Sequence, residues 1–247
     1  MPQNSPNLQP HLQLDSNHGA VSALLPGDPA RLDRIKPFLT NVTELAYNRE
    51  FRSLVGTYKG VRVLIVSTGI GGASAGIAVE ELHNLGVKNM IRIGSCGALQ
   101  PEVKLGDLIL VSGAVRDDGA SKAYIDPAYP AVADETLLAA CEKVARTLGY
   151  AHHTGIARSH DSFYTDREEE IGAYWSGKGV LGCDMETAAL YVIGRLRHVR
   201  CMSILNNVVA YQTDTADAIG SYAGGETAAM RGEENEIVTA LEALVSL

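Results

Sequence analysis

Arg92 sits between Ile91 and Ile93 in the stretch MIRIGSCGAL, residues 90–99, shortly ahead of Ser95, Cys96 and Gly97. A guanidinium placed in an apolar layer is costly unless a negative group meets it, so this arginine predicts an anion at the end of its strand. Two further segments have the composition to hold one. LLPGDPAR brings Gly27 and Arg31, and STGIGGASAG brings a glycine-rich turn over 67–76. Glycine lets the backbone approach an anion closely, and turn N–H groups can cradle it. A single such turn is usually only a turn. Three of them with two arginines describe a phosphate-sized site.

GCDMETAAL, residues 182–190, sets Asp184 and Glu186 two apart where a strand runs into a helix. Paired carboxylates there suit a metal ion or the vicinal hydroxyls of a sugar, and a helix cap explains them equally well. No histidine or second acidic pair nearby completes a metal set. Gly69 and Gly71 begin a G-x-G-x-x-G pattern, but Ser74 stands at the third position and no acidic residue closes the next strand, which argues against a dinucleotide. No lysine follows 61–67 as a nucleotide-binding P-loop requires. GASAG, 72–76, matches the serine-hydrolase nucleophile elbow, with Ser74 as the nucleophile. That elbow follows its strand directly, whereas a glycine-rich loop separates Ser74 from Ser67, and the last histidine, His198, falls at the end of a predicted helix. A serine hydrolase stays open as a rival. His152, His153 and His160 read as exposed or core-edge residues.

These residues need strands to end at them. Apolar runs predict strands over 21–25, 61–67, 90–94, 107–115, 155–159, 180–183 and 201–209. Helical spacing places Ala75, Ala78, Leu82 and Leu85 on one face of a helix ending at Gly86. Residues 135–148 and 186–197 also read as helices, and Ile237, Leu241, Leu244 and Val245 share a face near the end of the chain. Alternating strands and helices imply a largely parallel or mixed sheet covered on both faces, with ligands beyond the carboxyl ends of its strands. No linker or repeat divides the chain, so 1–247 reads as one domain with 1–10 flexible. The Ala-, Gly- and Thr-rich stretch 213–232 reads as a surface excursion or flap.

The chain has 247 residues, 46% of them hydrophobic, and a net charge of −8. That charge argues against non-specific binding to nucleic acid or an anionic membrane, so an anion site has to be built locally. Cys96, Cys141, Cys183 and Cys201 are widely spaced, which suits reduced thiols in a cytoplasm. No signal-like apolar block opens the chain, and no run approaches the roughly 20 apolar residues of a membrane span.

PGDPAR, AYNREF, STGIGGASAGIAVEEL, RIGSCGALQPEVKLGD, AYPAVAD, HDSFY and DMETAAL occur in this order, and from about His11 onward the chain resembles the nucleoside phosphorylases of the uridine and hexameric purine type. The resemblance implies a three-layer α/β/α sandwich around a mixed, partly barrel-like sheet, assembled as dimers or as a hexameric trimer of dimers. It implies reversible phosphorolysis of a nucleoside, with inorganic phosphate as co-substrate and no redox cofactor. Phosphate would be held by Gly27, Arg31, Arg92, Ser95 and the neighbouring subunit's residue matching Arg49. Ribose would be held by Met185 and Glu186, with His11 lent across the dimer. Phe163 would stack on the base, near Cys96, Gly97, Arg167 and Asp184. Arg92 and Glu186 would carry the catalysis. Uridine enzymes of this type can hold an interface potassium ion near positions matching Glu50, Ile70 and Ser74.

The chain departs from both branches. FYTDREEE has Arg167 but lacks the glutamine that uridine enzymes use for uracil. The last strand lacks the aspartate that protonates purines, with Gln212 and Asp214 as displaced candidates. DDGASKAYIDPAYPAVAD and PHLQL favour uridine, a purine nucleoside being the alternative. A water-using nucleosidase of the same fold would not need three converging arginines.

Overall fold

A computed structural model describes residues 7–213 and 227–247. In chain order its main elements are β1 Ser22–Pro26, α1 Arg31–Ile35, β2 Thr40–Asn48, β3 Phe51–Tyr58, β4 Val61–Val66, α2 Gly72–Asn84, β5 Asn89–Ala98, β6 Leu108–Asp117, α3 Gly119–Tyr124, β7 Ala131–Val132, α4 Glu135–Leu148, β8 His152–His160, α5 Glu168–Ser176, β9 Gly182–Asp184, α6 Thr187–Leu196, β10 Arg200–Val209 and α7 Thr227–Val245.

One mixed sheet runs β10-β6-β8-β9-β5-β1-β4-β3-β2, and β10 also pairs with β5. That extra pairing closes β5, β9, β8, β6 and β10 into a five-stranded barrel, while β1 to β4 continue as an open sheet. α2, α3 and α6 pack together on the sheet, and α4 packs on α7. The expected α/β/α sandwich around a partly barrel-like sheet is therefore the fold. Its principal core runs from Leu12 to Leu244 and includes Leu24, Leu64, Ile91, Leu110, Ile193 and Leu241, all buried. These residues are branched aliphatics on strands and on the apolar faces of helices, which is why the elements form and why they stack.

Sequence periodicity locates the long elements closely. Asp134 caps α4 through the N–H groups of Thr136 and Leu137, and Gly149 ends it in the left-handed region. Ala75, Ala78, Leu82 and Leu85 are all buried, as their spacing on α2 predicts.

Three readings need correction, and one hairpin was not anticipated. β5 does not stop at Gly94 but runs through the expected turn to Ala98, because β10 pairs with it as far as Gly97 and β9 pairs with Gly97 and Ala98. The β2–β3 hairpin has no alternating apolar signal, since β2 is a largely exposed edge strand. Residues 227–232 of the expected flap form the first turns of α7, and 214–226 lie outside the described residues. The small residues there serve close packing, because a Cβ at Gly232 would run into Asn206 and Gly106. Of residues 1–10, expected to be flexible, 1–6 lie outside the described residues, whereas the Gln9 N–H donates to the Leu14 carbonyl at 2.8 Å.

Candidate active site

β5 has β1 on one side and β10 on the other, with Leu25 and Ser203 in register beside Arg92. The carboxyl ends of β1, β4 and β5 therefore meet. The loop after β4 bonds to the loop after β1, with Thr68 N–H on the Pro26 carbonyl at 2.9 Å and Gly69 N–H on the Gly27 carbonyl at 3.0 Å. Side chains on a strand alternate faces, so Arg92 shares its face with Gly94. Its guanidinium folds back over that glycine, where a Cβ would lie 2.5 Å from Nη2. Glycine at 94 is what lets this arginine turn toward the strand end.

The anion demanded by Arg92 is supplied in part by the chain itself. Arg92 Nε donates to Asp184 at 3.2 Å, and Nη2 bonds to Glu186. Arg92 Nη1 is buried and has no hydrogen-bond partner. It lies next to Gly27, where an added Cβ would sit 3.7 Å from it. A buried guanidinium N–H left over after two carboxyl groups have been engaged, beside a glycine, is the donor a further anion would meet.

Arg31, on α1, is equally buried. Its Nη1 donates to the Ile93 carbonyl and to Glu236 at 3.2 Å each, its Nη2 to Ser95 Oγ at 3.2 Å, and its Nε pairs with Glu233 at 3.1 Å. The structure thus joins Arg31 to Ser95 and also engages it with two α7 carboxyl groups, of Glu233 and Glu236, that sequence reading missed. Glu233 and Glu236 stand on the helix face that carries Ile237, Ala240 and Leu241, and acids on an apolar face were the available signal. Glu236 also accepts from Gly94 N–H at 3.1 Å, so α7 braces both α1, through Arg31, and β5.

Glu186 is buried, and burial holds its carboxyl above the usual range, although Arg92 pulls the other way. Its Oε1 accepts the Gly71 N–H at 2.6 Å, substituting for a side-chain cap at the start of α2. Burial pushes Glu236 up to about 8 against the pull of Arg31. Asp184 takes Ser159 Oγ at 2.6 Å and Thr187 Oγ1 at 2.6 Å besides Arg92. With its oxygens so occupied, Asp184 orients Arg92 and anchors the β9–α6 turn; that is its observed place rather than an open base contact. Met185 beside it is half-buried.

Arg49 and His11 are brought together, but away from these bonds. Arg49 is exposed in the β2–β3 turn with a left-handed φ of 55°. His11 Nδ1 lies 2.6 Å from Glu81 of α2, its carbonyl accepts Asn48 Nδ2 at 2.8 Å, and both His11 and Arg49 act electrostatically on Glu50. Glu50 accepts Ser74 Oγ at 2.7 Å, and Ser74 also bonds to the Thr68 carbonyl at 2.6 Å. Ile70 is 79% exposed beside them. This oxygen-rich group fits a hard cation. No histidine bonds Ser74 among the described residues, so the hydrolase elbow lacks its base.

At the base end, Cys96 and Gly97 lie on β5 beside Cys183 of β9. Burial raises the Cys96 thiol and pushes Cys183 up to about 11, so neither is a nucleophile at neutral pH. Phe163 is half-buried, edge-on to Tyr164 with centroids 4.9 Å apart. Arg167 is exposed and paired with Glu170 at 3.1 Å, one turn along the surface of α5. Buried Arg158, which sequence reading passed over, is the arginine at this end, bound to Asp117 and Glu168 at 2.8 Å each. Gln212 is exposed, and Asp214 lies outside the described residues.

The phosphorylase superfamily model matches residues 22–234. The chain is 38% identical over 211 residues to a uridine phosphorylase of Thermococcus kodakarensis, covering 81% of this chain and 76% of that one. It is 40% identical over 196 residues to a purine nucleoside phosphorylase of Plasmodium vivax, covering 78% and 80%. The crystal structure of a uridine phosphorylase from Vibrio fischeri superposes with a TM-score of 0.92 at 46% identity, covering 99% of this chain and all of that one. With its barrel, its strand-end arginines and these similarities, the chain belongs to the phosphorylase superfamily.

Proposed function

We propose that this protein is a nucleoside phosphorylase, a pentosyltransferase that cleaves uridine with inorganic phosphate. The observation that carries the reading is Arg92, whose Nη1 is buried without a partner beside Gly27 while its other donors are held by Asp184 and Glu186. Its relatives include phosphorylases of both uridine and purine nucleosides. The greater number of uridine phosphorylases among them favours uridine, with a purine nucleoside as the second reading.

In this reading phosphate binds between Gly27, Arg92 and the Arg31–Ser95 pair. An oxygen of phosphate attacks the anomeric carbon, the bond from that carbon to the base nitrogen breaks, and the base leaves with the electron pair before taking a proton. Positive charge grows on the sugar ring as that bond lengthens. Glu186 then has two tasks: its carboxylate positions ribose hydroxyls, and its bond to Arg92 aims the guanidinium at the nucleophile. Positioning and preorganised charge do most of the work. No redox cofactor enters.

Arg49 and His11 complete the site from a neighbouring copy, because both stand on an exposed edge formed by β2, its turn and the start of the chain. Val42, Leu45 and Tyr47 leave apolar surface on that strand for a partner. The assembly is a dimer or a hexameric trimer of dimers. Glu50, Ser74 and the Ile70 backbone would hold potassium at that edge. The four free cysteines suit the cytoplasm, and no helix among the described residues is long and apolar enough to cross a membrane.

The test incubates the protein with uridine, thymidine, inosine and adenosine, with and without phosphate, and separates the free bases. Release of uracil only when phosphate is present is the expected result. Release without phosphate makes the protein a nucleosidase, and purine release alone selects the second reading.

A further inference from the structure

We propose that His160, Glu168 and Cys183 form a site for one divalent cation of the zinc class. The inference does not rest on the proposed reaction, although Cys183 and Glu168 stand at the base end of the candidate active site. Parallel pairing of β8 with β9 sets Arg158 beside Cys183, which brings His160, two residues further along β8, to the same strand end. The first turn of α5 lays Glu168 over them. One nitrogen, one sulfur and one carboxylate oxygen from these residues lie within 4.8 Å of one another. Ligand atoms of a tetrahedral zinc ion, with bonds of roughly 2.0–2.3 Å, stand somewhat closer than this. A modest rotation of Glu168, whose side chain is 31% exposed, would bring the set to that spacing.

Each residue is prepared for the role. His160 Nδ1 lies 3.1 Å from the Ser162 carbonyl, so Nδ1 carries the proton and the lone pair belongs to Nε2. That is how a carbonyl orients a metal-bound imidazole. Glu168 Oε1 is fixed by Arg158 Nη1 at 2.8 Å, while Oε2 is buried with no hydrogen-bond partner. An orphaned carboxylate oxygen on a residue grouped with a thiol and an imidazole is an acceptor that a positive centre would satisfy. The Cys183 S–H has only a weak contact of 3.7 Å to the Gly97 carbonyl.

Charge also balances. Arg158 is neutralised by Asp117, so the arriving cation does not face a bare guanidinium. On binding, the Cys183 S–H bond breaks, its proton goes to solvent, and the sulfur electron pair bonds the metal. One thiolate and one carboxylate then offset the dication. The mixed nitrogen, sulfur and oxygen set suits zinc or cobalt(II) over magnesium or calcium. Three protein ligands leave a fourth position open.

Cobalt(II) is the probe. Chelator-dialysed protein, kept reduced with a phosphine, is titrated with cobalt chloride and read by absorption, then challenged with zinc. The expected result is one cobalt per chain, a thiolate-to-cobalt band with the intense visible bands of a tetrahedral ion, and displacement by zinc. Cys183→Ser abolishes the thiolate band. His160→Ala and Glu168→Gln each weaken binding about 10-fold or more. Zinc raises the melting temperature of the unaltered chain, and this rise disappears in Cys183→Ser, a near-isosteric change that keeps the fold. Fewer than one cobalt per chain, a thiolate band that survives Cys183→Ser, or no zinc-dependent shift in melting temperature would overturn the site.

Discussion

Replacing Arg92 with alanine has two effects that can be measured apart. The substitution removes a guanidinium bridging Asp184 and Glu186, both buried. It leaves their carboxylates facing each other without a counter-charge. Breaking a buried pair in this way costs about 3–5 kcal/mol. At roughly 2–4 °C per kcal/mol for a chain of this size, the melting temperature falls by about 6–20 °C. Loss of Nη1, the unpartnered donor beside Gly27, removes preorganised charge from the phosphate end and lowers turnover by about 10²-fold or more. Adding Glu186→Gln takes away one of the stranded charges, so the double variant recovers part of the lost stability while phosphorolysis stays low. Scanning calorimetry and a base-release assay with saturating uridine read the two quantities on the same samples. An Arg92→Ala protein with near-normal turnover refutes the phosphate role, and one with an unchanged melting temperature refutes the buried bridge.

Other consequences follow from neighbouring contacts. Glu236 holds its proton to about pH 8 in the folded chain, against about 4.5 when unfolded. The folded state thus binds more protons between those values, and stability declines as pH rises through that window. Glu236→Gln flattens this decline in melting curves taken from pH 5 to 8.5; an unchanged slope means Glu236 is not its source. Gly94→Ala pushes a methyl group against the pinned Arg92 guanidinium, and the expected result is at least a 10-fold fall in turnover, with secondary structure retained by circular dichroism. Mixing inactive Arg49→Ala with inactive Arg92→Ala restores some activity if one copy completes the other's site, and verified mixed oligomers that stay inactive exclude such sharing.

Much of the site was legible in the chain because its parts are local. Gly27 with Arg31, Arg92 with Ser95, and Asp184 with Glu186 each lie within five residues, where a glycine-rich turn or a charge in an apolar run marks them. Strands with strong apolar runs were equally legible, so β1, β4 and β10 were located nearly to the residue. β2 was not, because an edge strand need not bury one face and leaves no period-2 pattern; β3, an inner strand buried over most of its length, was missed with it. The length of β5 was also hidden: Gly94 to Gly97 reads as a turn until partner strands on both sides supply its hydrogen bonds.

Residue type alone therefore determined that an anion must meet Arg92, since an apolar strand cannot carry a bare guanidinium. Only the tertiary structure decided which groups share that duty. Asp184 and Glu186, more than 90 positions away, take two of its donors and leave Nη1 for a ligand. Arg31 is likewise met by Glu233 and Glu236 from the last helix, about 200 positions on. Coulombic attraction and desolvation depend on distance and burial in space, and neither can be read along the chain until the barrel closes and brings those ends together.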